Sequence, residues 1–197
     1  MKKIVNYFVL FVVTSLITII VILSTMGIET NKFNKLIVEK ISQTKNINLK
    51  LETIKFKINL KELSLFLETQ NPDIMYMDLL IPIKNVQVYV DFLSLLKSDP
   101  IIKKISLVSQ ELNITQISKL SSIIKPSTFK SLLNNKIKEG KLIAEIEIFL
   151  NEKGLIKDFI TRGTVKDLKA ELISNLTLQE TDLNFFADKK DILIKNI

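Results

Sequence analysis

Few residues in this chain are equipped for chemistry. Glu145 and Glu147, two positions apart, and Asp188 and Asp191, three apart, have the spacing of acid and base partners. Arg162 is the only arginine among 28 basic residues, and a guanidinium is the side chain best shaped to hold an anion. Each has a plainer reading. The two glutamates share the polar side of an alternating strand with Lys141, which is the pattern of a solvated face. Arg162 stands before Gly163 in a strand pattern, where a surface position is the ordinary outcome.

The chain contains no Cys, no His and no Trp. Thiolate nucleophiles, disulfides, imidazole bases and His/Cys metal centres are thereby excluded. No G-x-G-x-x-G, phosphate loop or nucleophile elbow occurs. The expectation is a protein that is not an enzyme and uses no cofactor or metal. Two sequons, Asn113-Ile114-Thr115 and Asn175-Leu176-Thr177, carry meaning only in a eukaryotic lumen.

A net charge of +7 invites a nucleic-acid reading. The charge is scattered lysine, however, and bidentate phosphate and base contacts favour arginine. No nucleic-acid partner is expected. Lysines close to an anionic membrane each contribute about 1 kcal/mol of attraction, so a lipid surface suits the same charge.

A membrane segment is written at the N-terminus. After Lys2 and Lys3, the run from Ile4 to Ile28 carries no charge. As a helix it rises about 37 Å, enough to cross a hydrocarbon core of about 30 Å with some tilt. A cleaved signal peptide has a shorter apolar region and an A-x-A-like site, whereas this run ends in Ser24-Thr25-Met26-Gly27. Residues 1–28 are therefore expected to be an uncleaved anchor. Lys2 and Lys3 stay inside, so the bulk of the chain lies across the membrane, in a bacterium the periplasm.

Residues 29–45 read as a short amphipathic helix, with Phe33, Leu36, Ile37 and Ile41 on one face. From Ile47 the apolar period becomes two. Strand patterns follow at 47–51, 54–60, 63–67, 74–80 and 83–91, with a phase shift near Glu52-Thr53 and a separation at Pro82. Residues 92–97 look like one helical turn stopped by Ser98-Asp99-Pro100. A strand at 101–114 and two short helices, 115–124 and 127–133, come next. The clearest pattern lies in Lys141 to Leu150, where Leu142, Ala144, Ile146, Ile148 and Leu150 form one wholly apolar row. Asn151-Glu152-Lys153-Gly154 marks a hairpin turn. The return strand, 155–172, carries Gly163 as an expected bulge or kink. Further strand patterns cover 176–178, 185–186 and 191–195, and a strand pattern this close to Ile197 suggests the first part of a longer polypeptide.

About eight strand candidates thus offer apolar rows, and three short helices are too few to cover them. Either the strands form a sandwich that buries its own faces, or one sheet curves into a half-pipe completed by a ligand with long hydrocarbon chains. Pattern alone slightly prefers the sandwich, as the commoner arrangement, while the helix inserts and the membrane anchor favour the half-pipe. An N-terminal anchor, an amphipathic helix, the strand Val86-Gln87-Val88-Tyr89-Val90-Asp91, then Ser94-Leu95-Leu96, Ile102 to Leu107 and Leu112-Asn113-Ile114 resembles the start of the AsmA-like family (the AsmA, TamB and YhdP group). These are envelope proteins related to the chorein-type bridge-like lipid transfer proteins. Thr161 to Ala170 is similar to a strand found further along such proteins. The resemblance implies a mainly β fold with short helices (α+β), in which an N-terminal transmembrane helix is followed by a curved antiparallel sheet forming a taco-like open groove over residues 46–197. It implies anchoring in the bacterial inner membrane as a single-pass protein, N-terminus cytoplasmic. It also implies partners in phospholipid acyl chains and other envelope proteins, and a part in moving phospholipids toward the outer membrane. Leu142, Ala144, Ile146, Ile148 and Leu150 are the expected lining. A membrane-anchored adaptor sandwich, or a factor assisting outer-membrane protein assembly, is the alternative.

Overall fold

The computed structural model describes residues 2–30, 34, 47–51, 53–61, 64–77, 79–91, 94, 101–121, 131, 135–173 and 176–196. Helix α1 (Lys2–Thr25) has the length and composition of a membrane span, and none of it is buried against the rest of the chain. Its threonine hydroxyls are satisfied locally: Thr14, Thr18 and Thr25 each donate to the carbonyl four residues back, at 2.8, 2.9 and 2.7 Å. That arrangement suits a helix surrounded by hydrocarbon, where an unsatisfied donor is expensive.

The helix hands over to the sheet within two residues. Gly27 takes a left-handed φ of 73° and its N–H donates to the Ile22 carbonyl at 2.9 Å. A side chain here would also collide with Lys57, since a Cβ would stand 2.7 Å from Cγ of that lysine. Strand β1 (Ile28–Thr30) then pairs at once with β3 (Ile54–Asn59). Glu29 and Thr30 thus belong to a strand, and the remainder of the expected 29–45 helix, apart from Asn34, lies outside the described residues.

All pairings are antiparallel and join into one twelve-stranded sheet. Its main path runs β1, β3, β4 (Ser64–Gln70), β6 (Leu79–Val90), β7 (Ile102–Ser109), β9 (Ile137–Leu150), β10 (Ile156–Ile173), β11 (Leu176–Asp188) and β12 (Ile192–Asn196). Strand β2 (Ile47–Lys50) pairs β5 (Asp73–Tyr76), which pairs the first part of β6, and the short β8 (Leu112–Asn113) extends the β7 side along β9. The end strands β1 and β12 do not pair with each other, so the sheet is open. The phase shift near Glu52-Thr53 is the passage from β2, in one part of the sheet, to β3 in another.

Two expectations are corrected. Pro82 does not separate two strands. It sits within β6 opposite Asp73, where the strand changes partners, and its carbonyl accepts the Gln110 N–H at 2.9 Å. Gly163 is not a bulge either, because Arg162, Gly163 and Thr164 pair in unbroken register with Phe186, Phe185 and Asn184. The bulge falls a few residues later, around Asp167 at φ 53°.

Helix α2 (Ile114–Ser121) matches the expected 115–124 helix in place. It is started by a reciprocal cap: Asn113 Oδ1 accepts the Gln116 N–H, and Gln116 Oε1 accepts the Asn113 N–H, both at 2.9 Å. Asp91 and Ser94 close the base of the excursion after β6. The Asp91 carboxylate accepts the Ser94 N–H at 3.0 Å, Ser94 Oγ accepts the Ile101 N–H at 2.9 Å, and Lys103 pairs with Asp91. The expected helical turn at 92–97, apart from Ser94, and the 127–133 helix, apart from Ser131, lie outside the described residues.

Candidate functional site

Register assigns every strand residue to one of two faces, and the faces differ in chemistry. One row crosses seven strands as Ile28, Phe56, Leu67, Val88, Ile105, Ile148 and Phe159, every one apolar. The neighbouring row holds Thr30, Ile54, Thr69, Val86, Leu107, Ile146 and Thr161. At about 4.8 Å between adjacent strands, the first row extends about 29 Å from the strand that follows α1.

The five residues expected as lining, Leu142, Ala144, Ile146, Ile148 and Leu150, alternate along β9 and share this face. Each is half-buried, with no second sheet of described strands closed over it. Cover is uneven across the two rows. Ile54 is 2% exposed, whereas Ile28 is 52% exposed and Phe159 38%. The Thr69 hydroxyl is enclosed without a hydrogen-bond partner, a lone polar atom in apolar surroundings.

The opposite face carries a ladder of charge. Lys57 Nζ meets Glu68 Oε2 at 2.6 Å, while Asn85 and Gln87 both donate to Glu68 Oε1 at 3.0 Å. The Tyr89 hydroxyl donates to Gln87 Oε1 at 2.9 Å, and its ring stacks on Phe66 with centroids 5.2 Å apart. Lys104 Nζ lies 4.0 Å from the centre of the Tyr89 ring and 3.2 Å from Glu147 Oε1. Arg162 completes the chain of contacts, 2.7 Å from Glu147 and 3.8 Å from Glu145. Glu68 is 6% exposed and Lys104 9%. Burial alone would raise the Glu68 carboxyl, but the Lys57, Gln87 and Asn85 contacts outweigh it and hold the group below its ordinary value.

The candidate chemical groups are therefore accounted for structurally. Glu147 is enclosed between two cations instead of standing in solvent, and Arg162 holds carboxylates of its own chain. Asp188 and Asp191 form a turn, in which Asp188 Oδ1 accepts the N–H groups of Lys190 and Asp191 at 2.7 and 2.8 Å. Those two bonds hold the Asp188 carboxyl below its usual range. A hollow of about 410 Å³ opens beside Val108, Ile143, Arg162, Thr164 and Asn184. Among the described residues no cluster of three or more His, Cys, Asp or Glu could hold a metal. What the alternation along each strand left unseen is which strands stand side by side, and only that register turns separate apolar residues into one continuous row.

Compared with family models, with curated proteins and with solved structures, the chain matches none.

Proposed function

We propose that this chain is a membrane-anchored lipid-handling protein whose apolar sheet face binds phospholipid acyl chains in the cell envelope. The observation that carries the reading is the unbroken apolar row that starts at Ile28, directly beyond the membrane helix, and continues to Phe159. A chain laid along such a row regains about 0.8 kcal/mol for each CH₂ withdrawn from water, which offsets the contacts it gave up in the bilayer. Head groups remain at the open side. Movement needs no energy-coupled step, because successive positions on a uniform apolar surface differ little in free energy. The resemblance to the AsmA-like family supports a curved, taco-like form, placement in the bacterial inner membrane with the sheet in the periplasm, and passage of phospholipid toward the outer membrane.

The test is direct. Residues 28–197 are purified from cells in mild conditions, and bound phospholipid is measured by mass spectrometry. Co-purifying phospholipid is expected for the native sequence, and Ile146→Glu should lose most of it while keeping the same far-ultraviolet circular dichroism. A folded native protein that carries no lipid would favour the adaptor reading. Unfolding by Ile146→Glu would mean that the face is a sealed core.

A further inference from the structure

Several strands turn at the end of the sheet where α1 enters. Strand β1 leaves Ile28 away from α1, so antiparallel β3 returns past it at Phe56 and runs on through Ile58 and Asn59 on the α1 side. Leu60 and Lys61 turn there, with Asn59 Oδ1 accepting the Lys61 N–H at 3.0 Å. Alternating strand directions bring the β9–β10 turn to the same end, because β9 crosses the apolar row at Ile148 and β10 at Phe159. Asn59 and Asn151 each stand three residues beyond that row, about 10 Å, and Thr25 stands three residues before Ile28. The β9–β10 turn thus reaches about as far past the row as the chain itself travels to the end of α1.

Two features of this turn point to hydrocarbon. Leu155 and Ile156 are 62 and 68% exposed, side by side, and Ile156 pairs with Leu150, so the apolar face of the sheet continues onto the tip. On the β3–β4 turn at the same end, Leu60 is 50% exposed. The backbone of the β9–β10 turn is also sealed. Asn151 Oδ1 accepts the N–H groups of Lys153 and Leu155, both at 3.0 Å. The Gly154 N–H donates to the Asn151 carbonyl and the Asn151 N–H to the Leu155 carbonyl, both at 2.9 Å. A turn that satisfies its own donors leaves few of them needing water, which is what apolar surroundings demand.

We infer that the β9–β10 turn is a second membrane contact, with Leu155 and Ile156 entering the leaflet from which α1 emerges. The inference rests on the proposed anchoring of α1 and adds a point of attachment five to six strand spacings, about 24–29 Å, from β1. Lys153 and Lys157 are offset by Glu152 and Asp158, so the contact is apolar and needs no anionic lipid. The long lysine stems lie along hydrocarbon while their ammonium groups stay in water. A sheet held at both points stands with the base of its apolar face on the bilayer, and a phospholipid then passes from the leaflet onto that face without crossing water.

The experiment uses the full chain in phosphatidylcholine vesicles. Because the chain has no cysteine, each single Cys substitution carries one fluorescent label. Leu155→Cys reports on the tip, Val12→Cys on the middle of α1, and Glu111→Cys on an exposed turn at the opposite end of the sheet. Nitroxide-bearing lipids quench a label in the leaflet, and iodide quenches one in water. The labels at Val12 and Leu155 should be quenched by lipid and shielded from iodide, and the label at Glu111 the reverse. The pattern should survive about 1 M salt, where charges are screened within about 3 Å. Adding Ile156→Asp to Leu155→Cys should bring iodide quenching of the tip close to that at Glu111, with far-ultraviolet circular dichroism unchanged. A tip in water beside a shielded Val12 would overturn the second contact and leave the anchor standing, whereas a Val12 label in water would remove both. Release of the tip by salt would mean adsorption by charge and would also overturn the proposal. Lipid carried on the apolar face is read separately, as phospholipid bound to the purified sheet, so the two readings fail independently.

Discussion

Lys57 and Glu68 look in the sequence like two ordinary polar positions of alternating strands. Register makes them the enclosed end of a charge ladder, with Glu68 only 6% exposed. Removing the cation alone leaves a buried carboxylate uncompensated, so Lys57→Met should destabilise the fold by about 3 kcal/mol in denaturant titration. Lys57→Met with Glu68→Leu should recover most of that, because no charge is then left behind. The pH dependence has a definite sign. A carboxyl held below its ordinary value stabilises the fold above the unfolded pKa of about 4.3 and loses that contribution as pH falls through the folded value. The thermal midpoint should therefore be level above about pH 5 and drop in acid, with a shallower acid limb in Glu68→Gln. Residue types alone gave Arg162 as an ordinary surface strand residue with the capacity to hold an anion, and in the fold it holds carboxylates of its own chain. Its anions are Glu145 and Glu147, which cannot be known before β9 and β10 are laid side by side.

Strand β10 shows what sequence pattern reads well and what it misses. The β9–β10 hairpin, its turn at Asn151–Gly154 and the row Leu142 to Leu150 follow from alternation and turn chemistry. The purpose of Gly163 does not, because it is set by a neighbour that is distant in sequence. A Cβ there would stand 2.5 Å from the Ile143 carbonyl and 2.6 Å from the Phe185 ring, so the glycine makes room for an aromatic side chain on the adjacent strand. Gly163→Ala should lower stability by about 2 kcal/mol, measured by thermal or urea unfolding. Trimming Phe185 to Leu should not rescue it, since the backbone carbonyl remains in the way. Pro82 misleads in the opposite sense. Proline is expected to end a strand, yet at a change of partners its missing N–H is tolerated.

At the scale of the molecule, the long apolar N-terminal helix was the most legible feature, because it is written as one uninterrupted run without charge. The open edge was the least legible, since closure of a sheet depends on pairings between distant strands. On the proposed function, Lys2 and Lys3 are the residues that set the orientation of the chain. Replacing both with Glu should increase the fraction inserted in reverse, seen as loss of protease accessibility of the sheet in spheroplasts.

Met26 and Gly27 are the entire connection between α1 and β1, and a side chain at Gly27 would collide with Lys57. On the proposed anchoring, a two-residue junction leaves the sheet little freedom to tumble above the bilayer. On that reading, a lean of the helix should carry the distant strands with it. Splicing a run of Gly and Ser after Gly27 should leave the sheet folded yet deprive it of a fixed bearing relative to the membrane.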